Sequence, residues 1–161
     1  VQIANLDYNS IGIGLPAVSL FDREDSQLGL PIPQGRFFAA LGGGPDGAAS
    51  LSQAGDVPDG ARTLRLLAAT TYGMPLTTTL GGDPITFYPT GPLTISTLRW
   101  REFAADVSQW AGLSDVELRL TSFPGQGGTA FDRLEFSSIP IPEPASGWCV
   151  ALTGVLRRRR H

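Results

Sequence analysis

The stretch TLRLLAAT, residues 63–70, places Leu64 and Leu66 on one face of an extended chain and Arg65 on the other. The stretch DVELRLTSF, residues 115–123, repeats this alternation of apolar and polar side chains. A period of two is typical of a strand that buries one face and leaves the other in water. The two stretches therefore predict half-buried antiparallel strands.

Other segments extend this pattern along the chain. RFFAAL, PITFY, TISTLRWREF and AFDRLEFSSI are short, and they are separated by turn-rich stretches such as LGGGPDG, AGDVPDG and FPGQGG. The 20 glycines and 13 prolines fit such turns. We predict an all-β fold, an antiparallel β-sandwich of the jelly-roll type. DVSQWAG should form one helical turn capped by Asp106. The predicted core comprises Leu64, Leu66, Val116, Leu118, Leu120, Leu134 and Phe136.

The length and the proline distribution define the domain organisation. A chain of 161 residues suits one domain with a tail. The stretch SSIPIPEPAS places three prolines within five positions, which favours an extended spacer. We predict a β-sandwich over residues 1–138, a proline-rich linker over 139–144, and an apolar and basic tail over 145–161.

Charge and residue usage exclude several function classes. The formal net charge is −3, and without the four terminal arginines it would be near −7. An acidic body without lysine repels phosphate backbones, so we expect no nucleic-acid binding. The single histidine is His161 and the single cysteine is Cys149, both in the tail. Catalytic triads built on histidine therefore lack their base, no catalytic constellation is visible, and we expect no enzyme.

The tail combines three features in a fixed order. Pro142, Glu143 and Pro144 precede an uncharged run over residues 145–156, and Arg157, Arg158, Arg159 and Arg160 follow it. An apolar run with a basic flank is typical of a stop-transfer segment. This run of about twelve residues is shorter than the ~20 residues that cross a hydrocarbon core. A disordered basic tail or a nuclear-localisation-like patch would explain the arginines alone, but not the ordered triplet and apolar run.

This tail resembles the PEP-CTERM sorting signal of bacteria, which an exosortase recognises. The resemblance implies export, transient association with the membrane through the tail, and processing near Pro142, Glu143 and Pro144. It also implies that the exosortase-type sorting enzyme is a partner and that the body reaches the cell surface or the extracellular matrix.

The body is similar to galactose-binding-like and carbohydrate-binding jelly rolls. The similarity rests on NLDYN, GRFFAALGG, VPDGARTLRLLAAT, WREFAADVSQWAG and FDRLEF, in this order along the chain. It implies a structural calcium ion where the first and last motifs meet, with Asn9 and Asp132 as ligands. A role for Asp132 as a turn residue is the alternative.

Sugar binding on such a fold needs an exposed aromatic ring on which a pyranose can stack. Tyr72 and Tyr88 are the stacking candidates, with a place in or beside the core as the alternative, and Trp100 and Trp110 are expected to pack in or beside the core. We therefore expect a non-catalytic surface or matrix protein that binds polysaccharide. The alternative is an extracellular glycan-active hydrolase or lyase on a β-sandwich scaffold.

Overall fold

A computed structural model describes residues 5–8, 16–22, 35–45, 47–69, 76–90, 100–124 and 129–141. These residues form eleven strands and one short 3₁₀ helix. The elements are β1 (Asn5–Tyr8), β2 (Ala17–Asp22), β3 (Phe37–Gly42), β4 (Ser50–Gly55), β5 (Thr63–Ala69), β6 (Leu76–Leu80), β7 (Asp83–Ile85), β8 (Tyr88–Pro89), β9 (Trp100–Asp106), the helix (Ser108–Trp110), β10 (Val116–Ser122) and β11 (Thr129–Ser137).

The strands form two sheets that pack as a sandwich. The larger sheet has the order β1-β2-β3-β11-β5-β9-β8, and the smaller sheet has the order β4-β10-β6-β7. The pairings are antiparallel except for the parallel pair β1 and β2. The predicted all-β antiparallel sandwich is confirmed.

Each predicted strand segment overlaps an observed strand, and PITFY overlaps both β7 and β8. Four strands that the pattern did not predict are β1, β2, β4 and β6. In β4, SLSQAG is polar and exposed along its whole length, so no apolar face marked it. The predicted turn forms as the 3₁₀ helix, and the Asp106 carboxylate accepts a hydrogen bond from the Ser108 amide at 2.9 Å.

The core lies between the two sheets. Leu66 and Phe103 of the larger sheet pack with Leu76 and Leu120 of the smaller one. A second cluster around Leu64 continues this interior. Of the predicted core residues, the sandwich buries Leu64, Leu66, Val116 and Leu120 and half-buries Leu118 and Phe136.

The larger sheet also carries an apolar cluster on its outer face, the face turned away from the smaller sheet. Phe21 and Phe38 stack with ring centroids 5.0 Å apart, and Trp100 meets Phe38 edge-on at 5.8 Å. All three side chains are buried. Trp100 is therefore a packing residue, as the sequence predicted.

A β-bulge interrupts the pairing of β11 with β5. Asp132 pairs with Leu67, whereas Glu135 pairs with Arg65, so three steps along β11 match two steps along β5. Arg133 takes up the extra residue with a φ of 48°, in the left-handed region. An inserted residue of this kind reverses the alternation of side chains beyond it.

The predicted core position of Leu134 is wrong. Leu134 lies within the bulge and its side chain is 40% exposed. Phe136, after the bulge, pairs with Leu64 and packs against the interior. The inserted residue brings Phe136 to the same face as the buried Phe131, whereas Leu134 lines an open cavity beside β4.

The last strand of the described residues ends just before residue 138, and the domain boundary predicted there stays a prediction. β11 ends at Ser137, and the Ile139 carbonyl accepts a hydrogen bond of 2.9 Å from the Thr63 hydroxyl. The first residues of the predicted linker are thus fixed against β5.

Candidate functional site

Tyr88 lies on β8, the edge strand of the larger sheet. It pairs with Ala104 of β9, and its side chain is 57% exposed. The small side chain opposite it leaves the phenol ring uncovered. An exposed ring on a rigid edge is the feature that sugar stacking requires.

The Tyr88 cavity is an open depression of about 310 Å³ beside this ring. The chain from β7 to β8 forms one side of it, and the turn after β9 forms the other. Its walls combine two aromatic rings, a carboxylate, an amide and three hydroxyl groups, which can together contact the apolar and the polar sides of a sugar. The lining residues are Pro84, Ile85, Thr86, Tyr88, Asp106, Ser108, Gln109 and Trp110.

Asp106 is the charged residue of the Tyr88 cavity. Its Oδ1 accepts hydrogen bonds from the Ser108 amide at 2.9 Å and from the Ser108 hydroxyl at 2.7 Å. The hydrogen bond from the Ser108 amide has the largest effect on the pKa of the Asp106 carboxyl and lowers it below its usual value. The hydrogen bond from the Ser108 hydroxyl and the positive charge of Arg62 lower this pKa further. Both bonds favour the carboxylate, so Asp106 is ionised at neutral pH.

The sequence predicted Asp106 as the cap of the helical turn, but it gave no sign that Asp106 and Tyr88 line the same cavity. Only the antiparallel pairing of β8 with β9 brings the two into one cavity. Trp110 lines the cavity but is 8% exposed and belongs to the interior cluster. It supports the wall, in agreement with its predicted place in or beside the core.

An ionic network lies beyond the apolar cluster on the outer face of the larger sheet. Glu102 accepts hydrogen bonds from Arg133 and, at 3.2 Å, from the Thr90 hydroxyl. Arg65 approaches Glu102 at 3.8 Å, and Arg133 approaches Glu135 at 3.6 Å. Because these carboxylates are balanced by arginines, the network stabilises the sheet surface rather than holding a free acid–base pair.

Asp132 lies at the bulge, next to this network. Its Oδ1 accepts a hydrogen bond of 2.7 Å from the Arg133 amide. Its Oδ2 is buried and has no hydrogen-bond partner among the described residues. A buried carboxylate oxygen in this state fits one ligand of a hard cation, and calcium takes six to eight oxygens. The calcium site stays a prediction, because its other ligand, Asn9, lies outside the described residues.

Several other predicted residues also lie outside the described part of the chain. These are Tyr72, the triplet Pro142, Glu143 and Pro144, and the arginines Arg157, Arg158, Arg159 and Arg160. The acidic stretch DREDS begins at Asp22, whose buried side chain pairs with Arg36 at 2.8 Å. That pairing gives Asp22 a structural role.

The described residues lack two features, a cluster of metal ligands and a membrane-spanning helix. No group of three or more histidine, cysteine, aspartate or glutamate side chains there could hold a metal ion. Within the same residues, no helix is both long and apolar enough to cross a membrane.

Comparison with known proteins adds no family assignment. No family model matches the chain, and no curated protein or solved structure matches it either.

Proposed function

We propose that this chain is a non-catalytic bacterial cell-surface or extracellular-matrix protein that binds polysaccharide in the Tyr88 cavity. The observation that carries the proposal is the 57% exposed ring of Tyr88 on the wall of an open cavity that also holds Asp106 and Gln109. The same β-sandwich body, similar to carbohydrate-binding jelly rolls, would hold a calcium ion at Asp132.

The cavity suits a sugar because its two kinds of surface match those of a pyranose ring. The face of Tyr88 accepts the apolar C–H side of the sugar. The Asp106 carboxylate accepts hydrogen bonds from hydroxyl groups, and the Gln109 amide both donates and accepts them. Since Asp106 is the charged group of the lining, the cavity favours neutral sugars and repels uronic acids.

Tyr88→Ala should weaken glycan binding, because it removes the stacking surface. Truncating an aromatic anchor costs roughly 1–3 kcal/mol, which raises Kd by about 5- to 150-fold. Calorimetric titration with ligands identified on a glycan array measures the effect. Tyr88→Phe keeps the ring and should retain most of the affinity.

Phe37→Ala is the control for the loss of an exposed ring. Phe37 is 41% exposed and lies outside the Tyr88 cavity, so its truncation should leave Kd unchanged. Equal losses in Tyr88→Ala and Phe37→Ala would contradict binding in this cavity. Release of shortened products from the glycan would instead establish the alternative, a hydrolase or lyase.

We also propose that the C-terminal tail exports and sorts the protein as a PEP-CTERM signal. Support comes from the ordered sequence of Pro142, Glu143 and Pro144, the apolar run and the four arginines. An exosortase-type enzyme would be the partner, and the membrane would hold the chain before processing. The surface or the extracellular matrix would then be the final location.

Deleting residues 142–161 should abolish surface deposition and leave the sandwich folded, because β11 ends at Ser137. Cell fractionation measures the deposition, and circular dichroism of the purified body measures the fold. Glu143→Ala, with the apolar run and the arginines intact, separates recognition of the triplet from membrane retention. Normal deposition of the truncated chain would show that the tail is not a sorting signal.

A further inference from the structure

Within the part of the chain that the structure describes, β4 forms one edge of the smaller sheet and pairs only with β10. Its sequence SLSQAG contains no charged residue and no proline, and all six residues are exposed. Edge strands of this kind are templates for pairing with another strand.

Other edges of the two sheets are protected. β7, at the far edge of the smaller sheet, contains Asp83 and Pro84, and β8, at one edge of the larger sheet, contains Pro89. Charges and prolines are the usual means of blocking an edge. β4 differs from β7 and β8 in lacking both.

The pairing of β4 with β10 determines which backbone groups are free. The Ser122 amide donates to the Ala49 carbonyl at 2.9 Å, and the register continues with Leu51 opposite Leu120. Backbone groups of alternate residues point to the same side of a strand. Those of Leu51, Gln53 and Gly55 therefore face β10, and those of Ser50, Ser52 and Ala54 face outward.

An apolar groove lies beside this edge. It is an open cavity of about 310 Å³ whose walls include Leu51 from β4 and Leu134 and Phe136 from β11. Leu51 and Leu134 are each 40% exposed. A strand added to β4 would cover part of this apolar surface.

We propose that β4 pairs antiparallel with β4 of a second copy of this chain, with Ser52 opposite Ser52 of the second copy. In this register the outward backbone groups of Ser50 meet those of Ala54 in the other copy. Leu51 lies opposite Gln53 of the other copy on the groove side. The pairing is two-fold symmetric, and each half presents the same surface to the other.

The absence of charge favours a second copy as the occupant. A two-fold axis places each residue near its own equivalent, so any charge in the centre of β4 would face a like charge. Serine opposite serine has no such cost. Five paired residues in each copy and part of a groove form a small contact compared with the ~1,200–2,000 Å² of stable interfaces. The dimer should therefore be weak and concentration-dependent.

Sedimentation velocity of the full chain over a broad range of protein concentration tests the proposal. The wild-type chain should pass from monomer to dimer. Ser52→Pro removes the outward backbone amide of residue 52, which lies at the two-fold axis, and it leaves the hydrogen bonds between β4 and β10 intact. The dimer then loses two hydrogen bonds of ~1 kcal/mol each, so its Kd should rise at least about tenfold. Ser52→Ala is the matched control, since it also removes the hydroxyl that bonds to Glu117 but keeps the amide.

Amide hydrogen exchange gives a second measurement that does not depend on any variant. Protection at Ser50, Ser52 and Ala54 should rise with concentration, while that of Leu51 and Gln53 stays constant. Three results would each overturn the proposal. The first is a monomer at every concentration, and the second is equal association of wild type and a folded Ser52→Pro variant. The third is a dimer without rising protection at Ser52.

Discussion

Leu66→Ala is expected to lower the free energy of unfolding by about 2–5 kcal/mol, the range for truncating a fully buried leucine. Leu66 has no exposed surface and packs between the sheets against Phe103 and Leu120. The side chains that surround Leu66 belong to strands of both sheets, so the cavity left by the truncation cannot close unless the backbone of these strands moves. Urea denaturation followed by circular dichroism measures the change.

Leu134→Ala is the matched control, because it makes the same chemical change at a position that is 40% exposed. Its cost should be smaller, about 1 kcal/mol, since part of the side chain is already in contact with water. The comparison also tests the partial exposure of Leu134. Equal losses in the two variants would place Leu134 in the core and contradict that exposure.

Gly43→Ala is expected to destabilise the protein by about 3 kcal/mol or more, at or above the upper end for overpacking. A Cβ on Gly43 would overlap the carbonyl oxygen of Phe123. A flexible side chain could move away, but here a backbone group must shift where β3 and β10 end. At ~2–4 °C per kcal/mol for a chain of this size, the melting temperature should fall by roughly 6–12 °C.

Gly55→Ala provides the control for the glycine-to-alanine change itself. A Cβ at Gly55 meets no atom within 4 Å, so the expected change is within about 0.5 kcal/mol. Differential scanning calorimetry measures the melting temperatures of both variants. A melting temperature of Gly43→Ala equal to that of Gly55→Ala would mean that the ends of β3 and β10 do not approach each other as described.

The alternating segments of the sequence predicted the strands that bury one face. β5 and β10 could be predicted because Leu64, Leu66, Val116 and Leu120 repeat every second residue, and a single buried face leaves that period in the sequence. β4 could not, because SLSQAG is exposed and carries no such pattern. Hydrogen bonding to β10 makes it a strand, and that partner is distant in sequence.

The candidate site was predictable only in part. Tyr88 could be proposed from its residue type, because any exposed ring can stack on a sugar. Asp106 and Gln109 could not be assigned to the same site, since their nearness to Tyr88 depends on how β8 pairs with β9. The sequence pattern also gave no signal for the free Oδ2 of Asp132.

The sequence by itself determined the class of fold and the order of features in the tail, because alternation, turn residues and charge runs are local properties. The tertiary structure decided the exposure of Leu134, the composition of the Tyr88 cavity and the free edge of β4. Each of these depends on how strands that are separated in sequence are placed beside one another. Such contacts form only when the chain closes on itself, and no short stretch of sequence encodes them.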